Sequence, residues 1–455
     1  MDSNIELSSE LVEKTGRLLA ENIKEYVEQA EQCDIGQIEQ QMRQVLQKVG
    51  AQSLATSLST LDESYAQTEP CICGGEAEYI SHRPAKTMTV FGWVTYRRAY
   101  YLCSACHQGQ SPLDKRLGLQ PGQISSGLAP LLALLGIQVS FDEASRLAQQ
   151  LLLVEVSDNS ILKETHTMGQ QQEKIDAEWQ EQSIDQGYLY DPVRRKSPSP
   201  ARLYGSIDGV LTPIGEEWRE LKVGCWYEVE PFPERQWSSR YKTRVGQLET
   251  LTAKNITYYC DIAPAGDFTQ LVWATGCQRL ADQATEIVFV AAGAKWIWNL
   301  VEANFPKARQ IVDWFHAVEY LTPVATAAFT DPDEADRWRM AMCDKLWNSQ
   351  IQEVIEACLT LETHPRAGDA AYQAATYYHN NQHRMDYACY RREGYLIGSG
   401  TVESGCKQIG TMRLKRSGAR WTLAGARKTA KARAAWLSDQ WDSLAARRRQ
   451  LPLAV

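Results

Sequence analysis

The chain has 455 residues, 44% hydrophobic and 23% charged, with a formal net charge of −8; that length suits roughly two to four domains, and the balance is that of an ordinary globular protein. No run of about 18 apolar residues occurs, which excludes a membrane helix, and the opening MDSNIELSSELVEKTG lacks the basic and apolar regions of a secretory signal. A cytoplasmic location is expected, with the 12 cysteines read as thiols or metal ligands rather than a disulfide framework.

The net charge hides an asymmetry. Residues 1–70 hold 13 Asp and Glu against 5 Lys and Arg, whereas Thr401–Val455 hold 12 basic residues against 3 acidic. A basic tail suits a nucleic-acid partner, although a basic helical face is as often merely solvated.

Residues 5–65 carry apolar side chains at three- and four-residue spacing, at Leu11, Leu18, Leu19, Ile23 and Val27, then at Ile38, Met42, Val45 and Val49. The spacing predicts helices that form a packed hairpin or an oligomerisation arm. Residues 68–115 change to strand-like alternation, as in KTMTVFGWVTYRRAYYLC. From Leu117 to about Gln172 the pattern is helical again, in the segments SSGLAPLLALLGIQ, SFDEASRLAQQLL and VSDNSILKETHTMGQQQ. Ser157 or Asp158 is the expected N-cap of the last. Three short helices with a polar third are compatible with a helix-turn-helix module, and equally with plain three-helix packing.

Residues 180–202 are polar and rich in Pro and Ser, so a linker is expected there. Beyond it, LYGSIDGVLTPI, ELKVGCWYEVE and NITYYCDIA read as three strands, followed by a helix over roughly Phe268–Ala281. Two further apolar runs, TEIVFVAAGA and ARQIVDWFHAV, flank another helix. This β-β-β-α-β-α-β order predicts a mixed sheet flanked by helices. From about Val318 to Tyr390 the pattern is wholly helical, and the chain then returns at GYLIGSGTVESGCK.

Two constellations carry chemistry. Cys71-Ile-Cys73 and Cys103-Ser-Ala-Cys106 stand at the two ends of a predicted hairpin, where four thiolates can close a tetrahedral structural zinc site. Gly74 and Gly75 permit the tight turn of such a knuckle, and His82 or His107 is a substitute ligand. Four thiolates leave no open position, so a catalytic zinc is not expected. The second constellation is acidic. Asp208 ends the apolar stretch LYGSID, and Glu403 lies in a turn leading into a helix that carries Lys407, Arg413, Lys415 and Arg416. The plain alternatives are a turn residue for Asp208 and a favourable helix N-terminal charge for Glu403.

From about Cys71 onward the chain resembles the ISKra-type insertion-sequence transposases, a branch of the DDE superfamily. The stretches that carry the resemblance are CICGG, RRAYYLCSACHQGQSPLD, SIDGV, WRELKVG, GAKWIWNL, FPKARQIVDWFHAVEYL, GSGTVESGCK and MRLKRSGARWT. It implies a bacterial DNA transposase with a ribonuclease H-like catalytic domain, in which three acids hold two magnesium (or manganese) ions for attack on a phosphodiester. Carried over by position, the first acid is Asp208 and the third Glu403. The second falls on Ala292, within VFVAAGAKWIW, where the family has Asp-Gly-Ala; Ala291, Gly293, Trp296 and Trp298 keep the register. Alanine has no oxygen to offer, so impaired chemistry is expected. Asp313 is the one visible substitute, but it ends a strand one position further from the first and reads as a structural pair with His316 in the DWFHA motif.

The implied organisation is multidomain α+β: a helical N-terminal arm (1–66), a zinc ribbon (67–115), a helix-turn-helix-like DNA-binding block (116–180), a ribonuclease H-like mixed α/β domain (200–317 and 391–440) and an all-α insertion (318–390). Double-stranded DNA is the expected partner, bound by Lys407, Arg413, Lys415, Arg416, Arg420, Arg427 and Lys428, with Lys431 and Arg433 in the same run. Trp421 either stacks on a base at a splayed DNA end or packs in the core, and the core is the expected place. A homodimer or larger assembly that brings two element ends together, in the cytoplasm at the nucleoid, completes the expectation. The competing reading is a transposase-derived DNA-binding protein without nuclease function. A ribonuclease H acting on RNA fits the zinc ribbon and the insertion less well.

Overall fold

The computed structural model describes residues 9–29, 34–62, 65–231 and 251–449. The chain divides into two compact units, residues 1–165 with 445–455, and residues 166–444.

The first unit opens with α1 (Ser9–Gln29) and α2 (Ile35–Thr60). Asp34 starts α2 with a reciprocal capping box: its carboxylate accepts from the Gln37 N–H, and the Gln37 side chain accepts from the Asp34 N–H. The second half of α2 joins a core, where Leu58, Leu54 and Ala51 pack with Ala85, Val94, Tyr96 and Leu113. Met42 and Val49 of the predicted apolar stripe remain exposed; the side chains of Leu11 and Leu18 lie outside the described residues. The strands β1 (Thr68–Pro70), β2 (Glu76–Thr89), β3 (Gly92–Cys103) and β4 (Gly109–Gln110) form an antiparallel sheet in that order. Asp114, in α3 (Pro112–Leu117), is buried and accepts from Tyr96 Oη at 2.8 Å and from Arg98 Nε.

Three further helices, α4 (Ala129–Gln138), α5 (Phe141–Leu147) and α6 (Asp158–Ile184), follow the predicted segments. Leu128, Leu132, Ala144, Ala148 and Ile161 from this block form a core with Met88. Ser157 caps α6, its hydroxyl accepting from the Ser160 N–H at 3.2 Å. The helix runs past Gln180, where a linker was expected. Two short helices follow, α7 (Gln186–Leu189) and α8 (Pro192–Lys196). The polar composition there serves caps and an ion pair: Asp185 and Asp191 cap the two helices, and Arg194 pairs with Asp282 at 2.6 Å.

The second unit is built on β5 (Arg202–Ile214), β6 (Glu217–Pro231) and β7 (Leu251–Asp261), an antiparallel set joined in parallel by β8 (Glu286–Ala291) and β9 (Arg309–Val312). The order across the sheet is β7-β6-β5-β8-β9. Leu221–Tyr227 of β6 are buried without a break, because both faces of the sheet are covered; that is why this strand reads as an apolar run rather than an alternation. One face meets α9 (Ala265–Gln278) and α10 (Lys295–Asn304), and carries the ring contacts of Trp226 with Phe289 and Phe305. Trp226 Nε1 donates to Thr275 Oγ1 at 3.1 Å.

After β9 the chain is helical, as expected: α11 (Trp314–Glu319), α12 (Leu321–Ala328), α13 (Pro332–Trp347), α14 (Ile351–Thr360), α15 (Gly368–Asn381) and α16 (Tyr387–Arg392). It returns to the sheet as α17 (Gly400–Gly405), a π-helical stretch (Cys406–Leu414), α18 (Leu423–Leu437) and α19 (Trp441–Arg449). Gly405 sets the approach of α17, since a Cβ there would lie 2.6 Å from the Tyr258 ring of β7 and 3.3 Å from Val223 of β6. The molecule is thus a mixed α/β multidomain protein with two sheets, and among the described residues no helix is long and apolar enough to cross a membrane.

Candidate functional site

The four predicted cysteines converge. Cys71 and Cys73 flank the turn between β1 and β2, and Cys103 and Cys106 flank the end of β3, so pairing of these strands stacks the two knuckles. The four sulfurs lie within 4.8 Å of one another, with Cys71 to Cys106 at 3.5 Å and Cys73 to Cys103 at 3.6 Å. A tetrahedral ZnS4 centre has sulfurs about 3.8 Å apart, given bonds of about 2.3 Å, so the group is compatible with a structural zinc. The thiols hold their protons unevenly: the backbone N–H groups of Cys106 and Ala105 lower Cys103 to about 7, while Cys106, despite the backbone contact at Gln108, is pushed up to about 12 by hydrogen bonding to Cys71 and by burial. Neither histidine substitutes. The ring of His82 is held by Tyr79 Oη at 2.8 Å and the Asp62 carbonyl at 3.2 Å, and His107 is not among the grouped ligands.

The acidic constellation is set by strand register. Residues Arg202–Gly205 of β5 pair in parallel with Glu286–Phe289 of β8, and the same register carried three residues onward sets Asp208 level with Ala292. On the other side, Ala291 pairs with Val312, so Asp313 ends β9 at the same height, its N–H donating to the Ala291 carbonyl at 2.9 Å. Asp208 pairs with Val223, where α17 approaches the sheet through Gly405, and burial, then the Asp208 charge, pushes the nearby Cys406 thiol up.

Glu403 and Asp313 meet through His316. Asp313 is 0% exposed. Its carboxylate accepts from the His316 N–H at 2.7 Å, from His316 Nδ1 at 3.0 Å and from the Ser399 N–H. His316 Nδ1 is also 3.9 Å from Glu403, and Ser399 Oγ donates to Glu403 at 3.2 Å. The Asp313 hydrogen bond pushes His316 up to about 9, against the opposing effect of burial, so the ring is a cation at neutral pH. The Glu403 carboxyl is pushed up by burial, then by the negative charges of Asp313 and, more weakly, Asp208. Asp313, His316 and Glu403 form one cluster of potential ligands. The i,i+3 spacing of Asp313 and His316 signalled their pairing; the contact with Glu403 needs the Tyr395–Ser399 return and was not visible in sequence.

The basic tail is only partly a surface. Lys407, Lys415 and Arg420 are exposed, and Arg416 and Lys428 are half-buried. Arg413 is 2% exposed, its guanidinium 4.9 Å from the Trp421 ring, and burial pushes it down to about 9. Arg427 pairs with Asp261 at 2.9 Å and donates to the Ile262 carbonyl. Lys431 is buried between Asp176 at 2.5 Å and Asp261 at 3.1 Å, and Arg433 donates to the Gln408 carbonyl at 2.5 Å. Trp421 is in the core, with its Nε1 donating to the Leu414 carbonyl at 3.0 Å. Helix α18 thus carries several of its cations inward, into ion pairs and backbone contacts that sequence density does not distinguish from a DNA-facing stripe.

A scan against protein-family models gave no match, and neither did a search of curated proteins.

Proposed function

We propose that this chain is a DNA strand-transfer protein of the DDE transposase class, acting on the ends of an insertion sequence and impaired at its second acid. The observation that carries the reading is the level placement of Asp208, midway along β5, with Ala292 and Asp313, which directly follow the ends of β8 and β9, together with the approach of Glu403 on α17 to Asp313 and His316. The sheet order supports a ribonuclease H-like unit, and the helical segment after β9 stands where the insertion is expected.

The residues fit one divalent cation better than two. Asp208 and Glu403 offer carboxylate oxygens; burial foremost, then the charge of Asp313, pushes the Glu403 carboxyl up, and the close group of potential ligands holds Asp313, His316 and Glu403 without Asp208. Ala292 offers no oxygen, and Asp313 is enclosed and occupied by three donors. Magnesium or manganese held by Asp208 and Glu403 would supply positive charge to phosphate oxygens during in-line displacement by water or a 3′-hydroxyl. The chain's own groups do the rest: Ser399 Oγ orients Glu403, protonated His316 neutralises Asp313, and exposed Lys407, Lys415 and Arg420 hold the DNA backbone. A structural zinc holds the ribbon, double-stranded DNA is the partner, and the location is the cytoplasm at the nucleoid. Joining two element ends calls for a dimer or larger assembly.

The loss of an oxygen at position 292 favours a second reading, a transposase-derived protein that binds DNA without cutting it. Cleavage of terminal-repeat DNA in magnesium or manganese, by the chain and by its Ala292→Asp variant, separates the two. Cutting by the variant supports strand transfer; binding without cutting by either supports the second reading.

A further inference from the structure

Beside Ala292 the second unit holds a cavity of about 720 Å³, between the start of α10 and helix α15, a size within the range of small-molecule sites. Its wall is tied to the strand end. Tyr377 Oη donates to the Ala292 carbonyl at 3.0 Å, and Gly293, at φ +94°, leaves room for the Tyr377 ring, which a Cβ would approach to 2.9 Å. Tyr377 also stacks on Tyr320 with ring centroids 3.8 Å apart.

Three kinds of group converge here. Tyr372, 57% exposed, and Tyr320 offer aromatic faces. The carboxamides of Asn299, Gln373 and Asn380 line the cavity, and each carries both a donor and an acceptor. Lys295 is exposed on the same lining and forms no ion pair among the described residues. Trp298 adds an independent sign of a missing partner: it is 3% exposed, lines the cavity, and its Nε1–H has no acceptor. A buried donor left unpaired is costly, and a seated ligand with a carbonyl or ring nitrogen would relieve it.

We propose that this cavity binds one unpaired nucleotide, with its base stacked on tyrosine and its edge read by the carboxamides, and with its phosphate beside Lys295. A nucleobase matches the lining because it has a flat face for stacking and an edge alternating donors and acceptors; the cation then accounts for the phosphate. The cavity begins one residue past Ala292, which is level with Asp208, so a nucleotide held here adjoins the end of β8 beside the acids. The inference rests on the strand-transfer reading only for the source of the nucleotide, a DNA end with an unpaired base.

Calorimetric titration of the full chain with the four deoxynucleoside 5′-monophosphates, against deoxyribose 5-phosphate, tests it. At least one nucleotide is expected to bind about tenfold or more tighter than the sugar phosphate, in line with the worth of a stacked base. Tyr372→Ala and Asn299→Ala, both at exposed positions, are expected to erase that preference without changing the melting temperature. Equal affinity for deoxyribose 5-phosphate, or a base preference untouched by both substitutions, overturns the proposal. Base-dependent binding by a chain whose Ala292→Asp variant never cuts DNA keeps the cavity and removes the strand-transfer reading; cutting without base-dependent binding does the reverse.

Discussion

Level with Asp208, position 292 carries a methyl group, which supplies neither charge nor a lone pair to a cation. Around it the charges are unevenly settled. His316 gains its proton affinity from Asp313, so its folded value, about 9, lies above its unfolded value. The stability it contributes is fully present below about pH 6.5 and is lost as pH rises through about 9. His316→Gln is therefore expected to flatten the fall in urea stability between pH 6.5 and 9, an effect of at most about 3 kcal/mol. Glu403 has the opposite sign: a carboxyl pushed up on folding opposes folding once it ionises. Glu403→Gln should raise the melting temperature at pH 7, leave it unchanged near pH 3, and abolish whatever cleavage the Ala292→Asp variant has. A lower melting temperature at pH 7 would show that the Ser399 and His316 contacts outweigh the crowding of negative charge.

Among the elements, α17 holds Glu403 against the sheet through Gly405, whose missing side chain lets the helix approach β6 and β7. Gly405→Ala is expected to cost about 1–3 kcal/mol through overpacking and to reduce cleavage by the Ala292→Asp variant, both readable from urea melts and strand-nicking rates. With the proposed zinc in the four-cysteine group, chelation or Cys103→Ser should release amide-exchange protection across β2 and β3 while leaving β5–β8 protected, because the four cysteines lie at the ends of those strands. The elements themselves were largely legible in the sequence. Turn residues and apolar runs marked the strands of the second sheet and the helices between them, and the cysteine spacing marked the four-cysteine cluster. Two features were not legible. Asp185 and Asp191 made Ser- and Pro-rich sequence look like a linker when they cap helices. Arg413, Arg427 and Lys431 looked like a DNA-facing stripe, because a one-dimensional pattern cannot show that Trp421, Asp261 and Asp176 receive them.

Across the whole molecule, fewer cations face outward than the tail's composition suggests, so the proposed affinity for DNA would rest on these few. Substituting Lys407, Lys415 or Arg420 by alanine should each lower the slope of log K against log salt by about 1, with the fold intact. Arg427→Ala should chiefly lower the melting temperature through loss of the Asp261 pair. The proposed assembly would use the N-terminal arm, where Met42, Leu46 and Val49 are exposed. Since Leu58 belongs to the ribbon's core, the clean test is Met42→Glu with Leu46→Glu, which should yield monomers by light scattering, rather than deletion of residues 1–65. The most direct measurement is magnesium- and manganese-dependent cleavage of terminal-repeat DNA by the chain beside its Ala292→Asp variant. Cutting by the variant, with little or none by the chain, is the expected result and places Asp208 and Glu403 in one metal site. Equal cutting by both would contradict it, because another acid, with Asp313 foremost, would then be filling the gap.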